Sequence, residues 1–311
     1  MKKPFTDINK LIKYLKLSDE NKKKILKNSF FPLLLPFTLA KKIKKNDIDD
    51  PIFKQFVPLI DENSESMFQK DPLKEDEFKT KKLLKKYNYR ALILVTSACA
   101  MNCRFCFRKF SNKILDTDFS DEIKMINEDS SIKEVILSGG DPLSLSNLKL
   151  EKLLKDLDKI EHVKIVRFHT RYIIASPNRL DSSFLKILKT TKKNIVFVFH
   201  INHPDEIDKE TIKYIKRLKK LNVLLFSQTV LLKDINDNAD TLKNLFEKLT
   251  SIGITPYYLH QLDKVKGLEH FEVDEKKGKD LIKTLKENLS GYMVPRYVKE
   301  IPFEKNKVDI F

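Results

Sequence analysis

From residue 91 onward, short apolar and β-branched runs alternate with amphipathic stretches. The apolar runs at 91–96, 134–137, 163–168, 195–199, 223–226 and 254–259 read as strands. The stretches at 121–128, 148–160, 182–189, 208–221 and 240–252 carry apolar residues at helical spacing. Strand starts are 43, 29, 32, 28 and 31 residues apart, which is room for a helix in every connection. Such βα repeats build a parallel sheet through right-handed crossovers. Six units are too few to close an eight-stranded barrel. The pattern predicts an α/β fold: a six-stranded (βα)6 partial TIM barrel.

The first part of the chain lacks this alternation. Ile8, Leu11, Ile12, Tyr14 and Leu15 fall at helical spacing, and a second helical segment follows Ser18. Residues 37–45 read as another short helix. Residues 46–86 are polar, with Asp49-Asp50-Pro51 and Asp71-Pro72 as turn marks, and read as an irregular connector. Three regions are expected: a helical preamble and connector at 1–88, the partial barrel at 89–270, and a C-terminal helix and tail at 271–311.

Polar residues follow the ends of the strand candidates. Cys99, Cys103 and Cys106 come after the first, and Ser138-Gly-Gly-Asp141 after the second. His169 and Arg171 end the third, and His200 and His203 the fourth. Gln228 follows the fifth, and His260 and Asp263 the sixth. In βα architectures that edge binds ligands.

Composition adjusts this picture in four ways. Hydrophobic residues are 41% of the 311, enough for a sizeable core. No apolar run reaches the roughly 20 residues of a membrane span, and no apolar signal region follows Met1-Lys-Lys-Pro-Phe5. The net charge of +16 admits an acidic partner or nucleic acid. The lysine clusters at 22–24, 41–45 and 79–86 carry interspersed Ile and Leu, however, as solvated helix faces do, and no aromatic RNA-recognition signature accompanies them. Glycine is scarce at six, yet Gly139 and Gly140 are adjacent, as close backbone approach requires.

The only three cysteines lie within eight positions. Disulfide frameworks spread their cysteines and usually pair them, and clustered thiols point to a reducing, cytoplasmic setting. A zinc site needs a fourth ligand, which one of the six histidines would have to supply. Three thiolates on one loop also suit an iron–sulfur cluster with one open iron.

The spacing Cys99-x3-Cys103-x2-Cys106, with Phe105 before the last cysteine, resembles the radical S-adenosylmethionine enzymes. More narrowly, the chain resembles the lysine 2,3-aminomutase family, including its elongation factor P branch. The motifs are Phe31-Pro-Leu, Asp50-Pro, Asp71-Pro-Leu, Ser138-Gly-Gly-Asp-Pro-Leu143, His200-Ile-Asn-His-Pro204, Gln228-Thr-Val-Leu-Leu232, Asn236-Asp237, Pro256-Tyr-Tyr258 and Ser290-Gly-Tyr-Met-Val-Pro295. The resemblance implies a 4Fe–4S cluster on Cys99, Cys103 and Cys106. It implies S-adenosylmethionine near Gly139, Gly140, Asp141, His200 and Gln228, and a radical made by its reductive cleavage. It implies pyridoxal phosphate on Lys307, with Arg90 near its ring. Lys307 lies 44 residues after Asp263 and seven after Glu300, the family's spacings, although its flanking sequence departs from the family's and Lys305 is the neighbour to test.

For the substrate, the resemblance implies Arg108 at the carboxylate of L-lysine and the acids Asp263 and Glu300 at its distal ammonium. The product is then β-lysine, and a reductant protein supplies electrons. Glu300, the three-cysteine total and the end at Phe311 look more like the elongation factor P branch, because longer relatives carry further cysteines for zinc. The competing expectations are the same chemistry on another amino acid, and a non-catalytic basic iron–sulfur protein that binds nucleic acid.

Overall fold

The alternation beyond residue 91 becomes a parallel sheet. The structure, a computed structural model, describes residues 2–63, 66–114 and 116–310, so the chain ends Met1 and Phe311 lie outside the described residues. Ten strands form one sheet in sequence order. They are β1 (Lys79–Thr80), β2 (Leu83–Tyr87), β3 (Arg90–Thr96), β4 (Glu134–Gly139), β5 (Ile165–Thr170), β6 (Asn194–His200), β7 (Val223–Val230), β8 (Thr255–His260), β9 (Arg296–Lys299) and β10 (Val308–Asp309). The six expected strands are β3 to β8, and they pair in parallel. The fold is the expected partial barrel, open at its edges.

The sheet extends further than the six repeats. β9 adds a seventh parallel strand after the helix Glu275–Asn288. β1 and β2 form an antiparallel edge against β3, and β10 closes the other edge antiparallel to β9. Strands on both sides of positions 88/89 and 270/271 therefore share one sheet, and we propose the three stretches as regions of one fold rather than separable units.

All the crossover helices except Ser120–Glu128 start where a side chain caps them. Asp181 accepts from the Phe184 amide at 2.8 Å, Asp208 from the Thr211 amide at 2.9 Å, and Asn238 from the Thr241 amide at 2.8 Å. The helix expected at 208–221 accordingly runs Lys209–Leu218, with Asp208 as its cap. Period-two alternation then sorts the strand faces. On β5, Val166, Phe168 and Thr170 are buried while Ile165, Arg167 and His169 are partly open. Phe168 stacks on Phe197 of β6 at 4.9 Å, and Phe184 of the helix Ser182–Thr190 meets both edge-on. Each fully buried ring contributes about 1.5–3 kcal/mol of transfer free energy. The opposite face keeps the polar side chains.

The preamble differs from its expectation in three places. The lysine-rich stretch at 79–86, expected as a solvated helix face, instead forms β1 and most of β2. The helix expected at 37–45 is only Phe37–Ala40. The connector contains a helix, Pro51–Phe56, because Asp50 accepts from the Ile52 and Phe53 amides at 2.8 and 3.0 Å and Pro51 occupies the first turn. Asp-Pro is a helix start here rather than a turn.

This preamble clasps the loop that follows β3. Asn102 donates from its backbone to Leu34 O at 3.0 Å and from Nδ2 to Pro32 O at 2.9 Å. The Arg104 amide donates to Gln55 O at 2.8 Å. Arg104 itself is 1% exposed, the bulkiest of the fully buried side chains. Its guanidinium donates to Phe31 O at 2.6 Å, Ser29 Oγ at 2.8 Å and, from Nε, to Glu62 Oε1 at 2.7 Å.

Removing one partner of a buried pair strands the other charge. Arg104→Met should lower unfolding free energy by about 3–5 kcal/mol, and adding Glu62→Gln should recover part of that loss. Chemical denaturation checks both, and a single variant as stable as wild type contradicts the clasp.

Candidate functional site

The loop after β3 carries the three cysteines, and a second contact holds it from the opposite side. Gly140 N–H donates to Thr96 O at 2.6 Å, and Asp141 N–H to Ala98 O at 2.9 Å. A Cβ on Gly140 would lie 2.4 Å from Ala98 O, and one on Gly139 would lie 2.7 Å from Thr96 O. Gly139 also has φ +109°, a region that side chains rarely adopt. The close approach inferred from the paired glycines is thus between β4's end and the cysteine loop.

Cys99 is exposed, and Cys103 and Cys106 are half-buried. Burial pushes the Cys106 thiol up to about 11, with the neighbouring Cys103 charge adding to it. The charges of Cys103 and Cys106 also act on Cys99. Three mutually repelling thiolates fit a polynuclear iron centre, whose positive charge relieves the repulsion. Among the described residues no three His, Cys, Asp or Glu are grouped to hold a single metal ion. Thiolates on three separate irons need wider spacing than ligands of one ion.

Asp141 is 5% exposed and its carboxylate is fully engaged. It accepts from the Leu143 amide at 3.0 Å, from Thr170 Oγ1 at 2.8 Å and from the Arg171 amide at 2.7 Å. Burial nevertheless raises it to about 6. It ties the β4 turn to the end of β5.

His200 and Gln228 sit side by side in the register of β6 and β7, and Gln228 is also opposite Tyr258 of β8. His200 Nε2 lies 3.0 Å from Asn202 Oδ1, and its ring is 5.6 Å from Phe105 of the cysteine loop. Burial lowers it to about 3, so this imidazole is neutral. His169 and His260 are likewise pushed down, first by burial and then by nearby cations including Lys307. His169 Nε2 is buried with no hydrogen-bond partner, a polar atom left over for a bound group.

The charged residues converge beside these histidines. Arg108 receives Glu75 in a two-point pair, Nε to Oε2 at 2.8 Å and Nη2 to Oε1 at 2.6 Å. Its Nη1 reaches only Ser138 Oγ and Gly139 O, both at 3.3 Å. Glu300 accepts from Lys307 Nζ and Lys86 Nζ, each at 2.5 Å, and from the Tyr87 hydroxyl. Despite burial, those donors hold Glu300 at about 2. Arg90 stacks on the Tyr87 ring at 4.4 Å, one contact removed from Glu300. Lys305 is exposed.

Asp263 follows β8 and is the unmatched acid of the group. Burial raises it to about 7, while Lys307 and Arg108 act to lower it and Glu300 and Glu75 to raise it. It is an acid that a further cation would ionise.

The structure thus gathers Arg108, Asp263, Glu300 and Lys307 into one electrostatic neighbourhood. Cys99, Cys103 and Cys106 share one loop, with Phe105 of that loop against His200. The sequence reading missed Glu75 and Arg104. An ion pair across 33 residues leaves no local pattern, whereas the place of Arg104 inside the cysteine loop is a signal that could have pointed to it.

A Radical SAM superfamily family model matches residues 93–245. The chain is 39% identical to an L-lysine 2,3-aminomutase of Buchnera aphidicola over 98% of its own length and 92% of the relative's. It is 38% identical to that of Haemophilus influenzae, over 99% and 93%, and 35% identical to that of Escherichia coli, over 98% and 91%. Among solved structures it is similar to Streptococcus suis SuiB bound to S-adenosylmethionine, with a TM-score of 0.52 at 14% identity over 69% of this chain and 51% of that one. At that identity the likeness concerns the fold alone.

Asp263 sets a pH expectation. Its acid form is favoured in the folded protein up to about 7 but in the unfolded chain only to about 3.8. The folded state then binds the extra proton between these values, and stability falls as pH rises through this window. Unfolding of ligand-free protein at pH 4.5 and 7.5 should show a smaller drop in Asp263→Asn than in wild type; equal drops contradict the raised carboxyl.

Proposed function

The chain belongs to the lysine 2,3-aminomutase family of radical S-adenosylmethionine enzymes, and from that membership we propose that it moves the α-amino group of L-lysine to the β-carbon. The observation that carries this reading is the gathering of Arg108, Asp263, Glu300 and Lys307 around one site. Free lysine has a carboxylate at one end and an ammonium at the other. A site with one arginine and two acids complements both ends, and an acidic side chain would meet two like charges.

The family's cofactors are a 4Fe–4S cluster, S-adenosylmethionine and pyridoxal phosphate. When bound, they supply a carbon radical and a carbonyl carrier for the migrating nitrogen. We assign Cys99, Cys103 and Cys106 to three irons. Gly139, Gly140, Asp141, His200 and Gln228 are assigned to the S-adenosylmethionine side. The first three shape that wall through the β4 turn, and His200 presents a neutral imidazole. Lys307 carries the pyridoxal group, and Arg90 acts at its ring through Tyr87.

Substrate charges replace charges already present. Glu75 fills the Nε/Nη2 edge of Arg108 and fixes the guanidinium, so the substrate carboxylate is received on the Nη1/Nη2 edge. In the free protein the Lys307 ammonium satisfies Glu300. If Lys307 held the pyridoxal group, Lys86 and Tyr87 would stay as donors on Glu300, and this carboxylate would offer its other lone pairs to the substrate's distal ammonium. Asp263 gives up its proton as that ammonium arrives.

We also propose a protein reductant, a cytoplasmic setting and a product destined for elongation factor P; Glu300 supports the last. Among the described residues no helix is long and apolar enough to cross a membrane.

Turnover tests this reading. Protein reconstituted anaerobically with iron and sulfide, then given pyridoxal phosphate, S-adenosylmethionine, reductant and L-lysine, should yield β-lysine. Lys307→Ala should yield none, and Lys305→Ala should match wild type. Asp263→Asn should raise KM for lysine at least about tenfold, the loss of roughly 1.4 kcal/mol of charge pairing. Equal product from wild type and Lys307→Ala, or no β-lysine from wild type, sinks the assignment.

A further inference from the structure

We propose that Arg171 is a positioning residue that raises the reduction potential of the cluster by donating a hydrogen bond to Cys103. The inference rests on the assignment of the three cysteines as cluster ligands. Arg171 follows β5, and its Nη1 lies 3.0 Å from Cys103 Sγ. It is 6% exposed, so the contact is shielded from water. Neither the substrate assignment nor the acid–base cluster uses this residue.

Its position is fixed from every side. Nη2 donates to Gln55 Oε1 at 2.6 Å and to Glu206 Oε1 at 2.9 Å, and both partners are fully buried. Gln55 Nε2 in turn donates to Glu206 Oε1 at 2.9 Å, while Gln55 O accepts the Arg104 amide of the cysteine loop at 2.8 Å. The guanidinium lies over the rings of Phe56 and Phe105, at 5.0 and 5.1 Å. The Arg171 amide donates to Asp141 at 2.7 Å. Its Nε is buried with no partner, a second donor left for the group that the thiolates hold.

The physical consequence follows from charge. Reduction places an extra electron on a cluster already surrounded by thiolates. Hydrogen bonds to the sulfurs and a low-dielectric surrounding set how costly that is. A buried N–H aimed at a ligand sulfur stabilises the electron-rich form, so its loss makes the cluster harder to reduce. Glu206 neutralises the guanidinium, which leaves the oriented N–H as the main effect. The network also joins the preamble helix Pro51–Phe56 to the cysteine loop, so the first region of the chain reaches the cluster's electronics through Gln55.

An EPR-monitored redox titration without substrate tests this. Arg171→Met alone would strand Glu206, so the variant is Arg171→Met with Glu206→Gln, beside wild type and Arg171→Lys. The double variant should reduce with about a tenfold smaller equilibrium constant, which is about 59 mV more negative for a one-electron couple. Arg171→Lys should recover part of the shift. A midpoint equal to that of wild type overturns the proposal.

A second measurement needs no loaded double variant. Wild type labelled with guanidinium-15N arginine should show a nitrogen hyperfine coupling on the reduced cluster, and Arg171→Lys should lose it. No coupling in wild type, or one retained in Arg171→Lys, overturns the proposal. Wild type that takes up no cluster refutes the cysteine assignment itself and is distinguishable by iron content.

Discussion

The buried guanidinium of Arg104, the residue between Cys103 and Phe105 in the cysteine loop, is the constraint on which the rest of the structure depends. A charge at 1% exposure needs partners, and Arg104 finds all of them in the preamble: Phe31, Ser29 and Glu62. The preamble cannot leave without stranding that charge, and the cysteine loop cannot move without breaking its bonds. On the other side, Gly140 lets the β4 turn approach the same loop more closely than any Cβ would permit. Long loops ordinarily sample many conformations. Here two rigid walls hold three thiols whose anions repel each other, an arrangement that stores a demand for positive charge.

The second tension is electrostatic and lies beside the first. Glu75 matches Arg108, and Glu300 is matched by Lys307, Lys86 and Tyr87. Asp263 is left with a raised carboxyl. Neutral histidines surround this group, so its charge balance rests on the acids and cations alone. A zwitterion with a distal ammonium completes the balance at both ends. The ammonium of Lys307 holds Glu300 in the free protein, which keeps that carboxylate ionised before any substrate arrives.

The parts of the fold that follow a strong period were legible in the sequence. The strands β3 to β8 and the helices between them fall within a few residues of their expected bounds, because the strands are apolar runs, β4 and β6 buried on both faces, and the helices bury one regular face. β9 and β10 were not legible, since four and two residues are too few to show alternation. The connector was misread at Asp50-Pro51, where one dipeptide serves equally as turn and helix start. Within the site, the three cysteines were plain from spacing. Of the residues that hold them, only Arg171 stood out, at the end of its strand; Arg104, Gln55 and Glu206 join it only through tertiary contacts. The double glycine was read as close approach, and the structure supplies the object of that approach: the backbone of the cysteine loop.

The central claim is that this clasped loop presents a cluster with one iron free to bind S-adenosylmethionine. EPR of the anaerobically reconstituted, reduced wild-type protein, recorded before and after adding S-adenosylmethionine, tests it most directly. The account predicts a 4Fe–4S signal whose g-values change when S-adenosylmethionine is added. A cluster signal that S-adenosylmethionine leaves unchanged, or iron that fails to assemble on the three thiols, would contradict it.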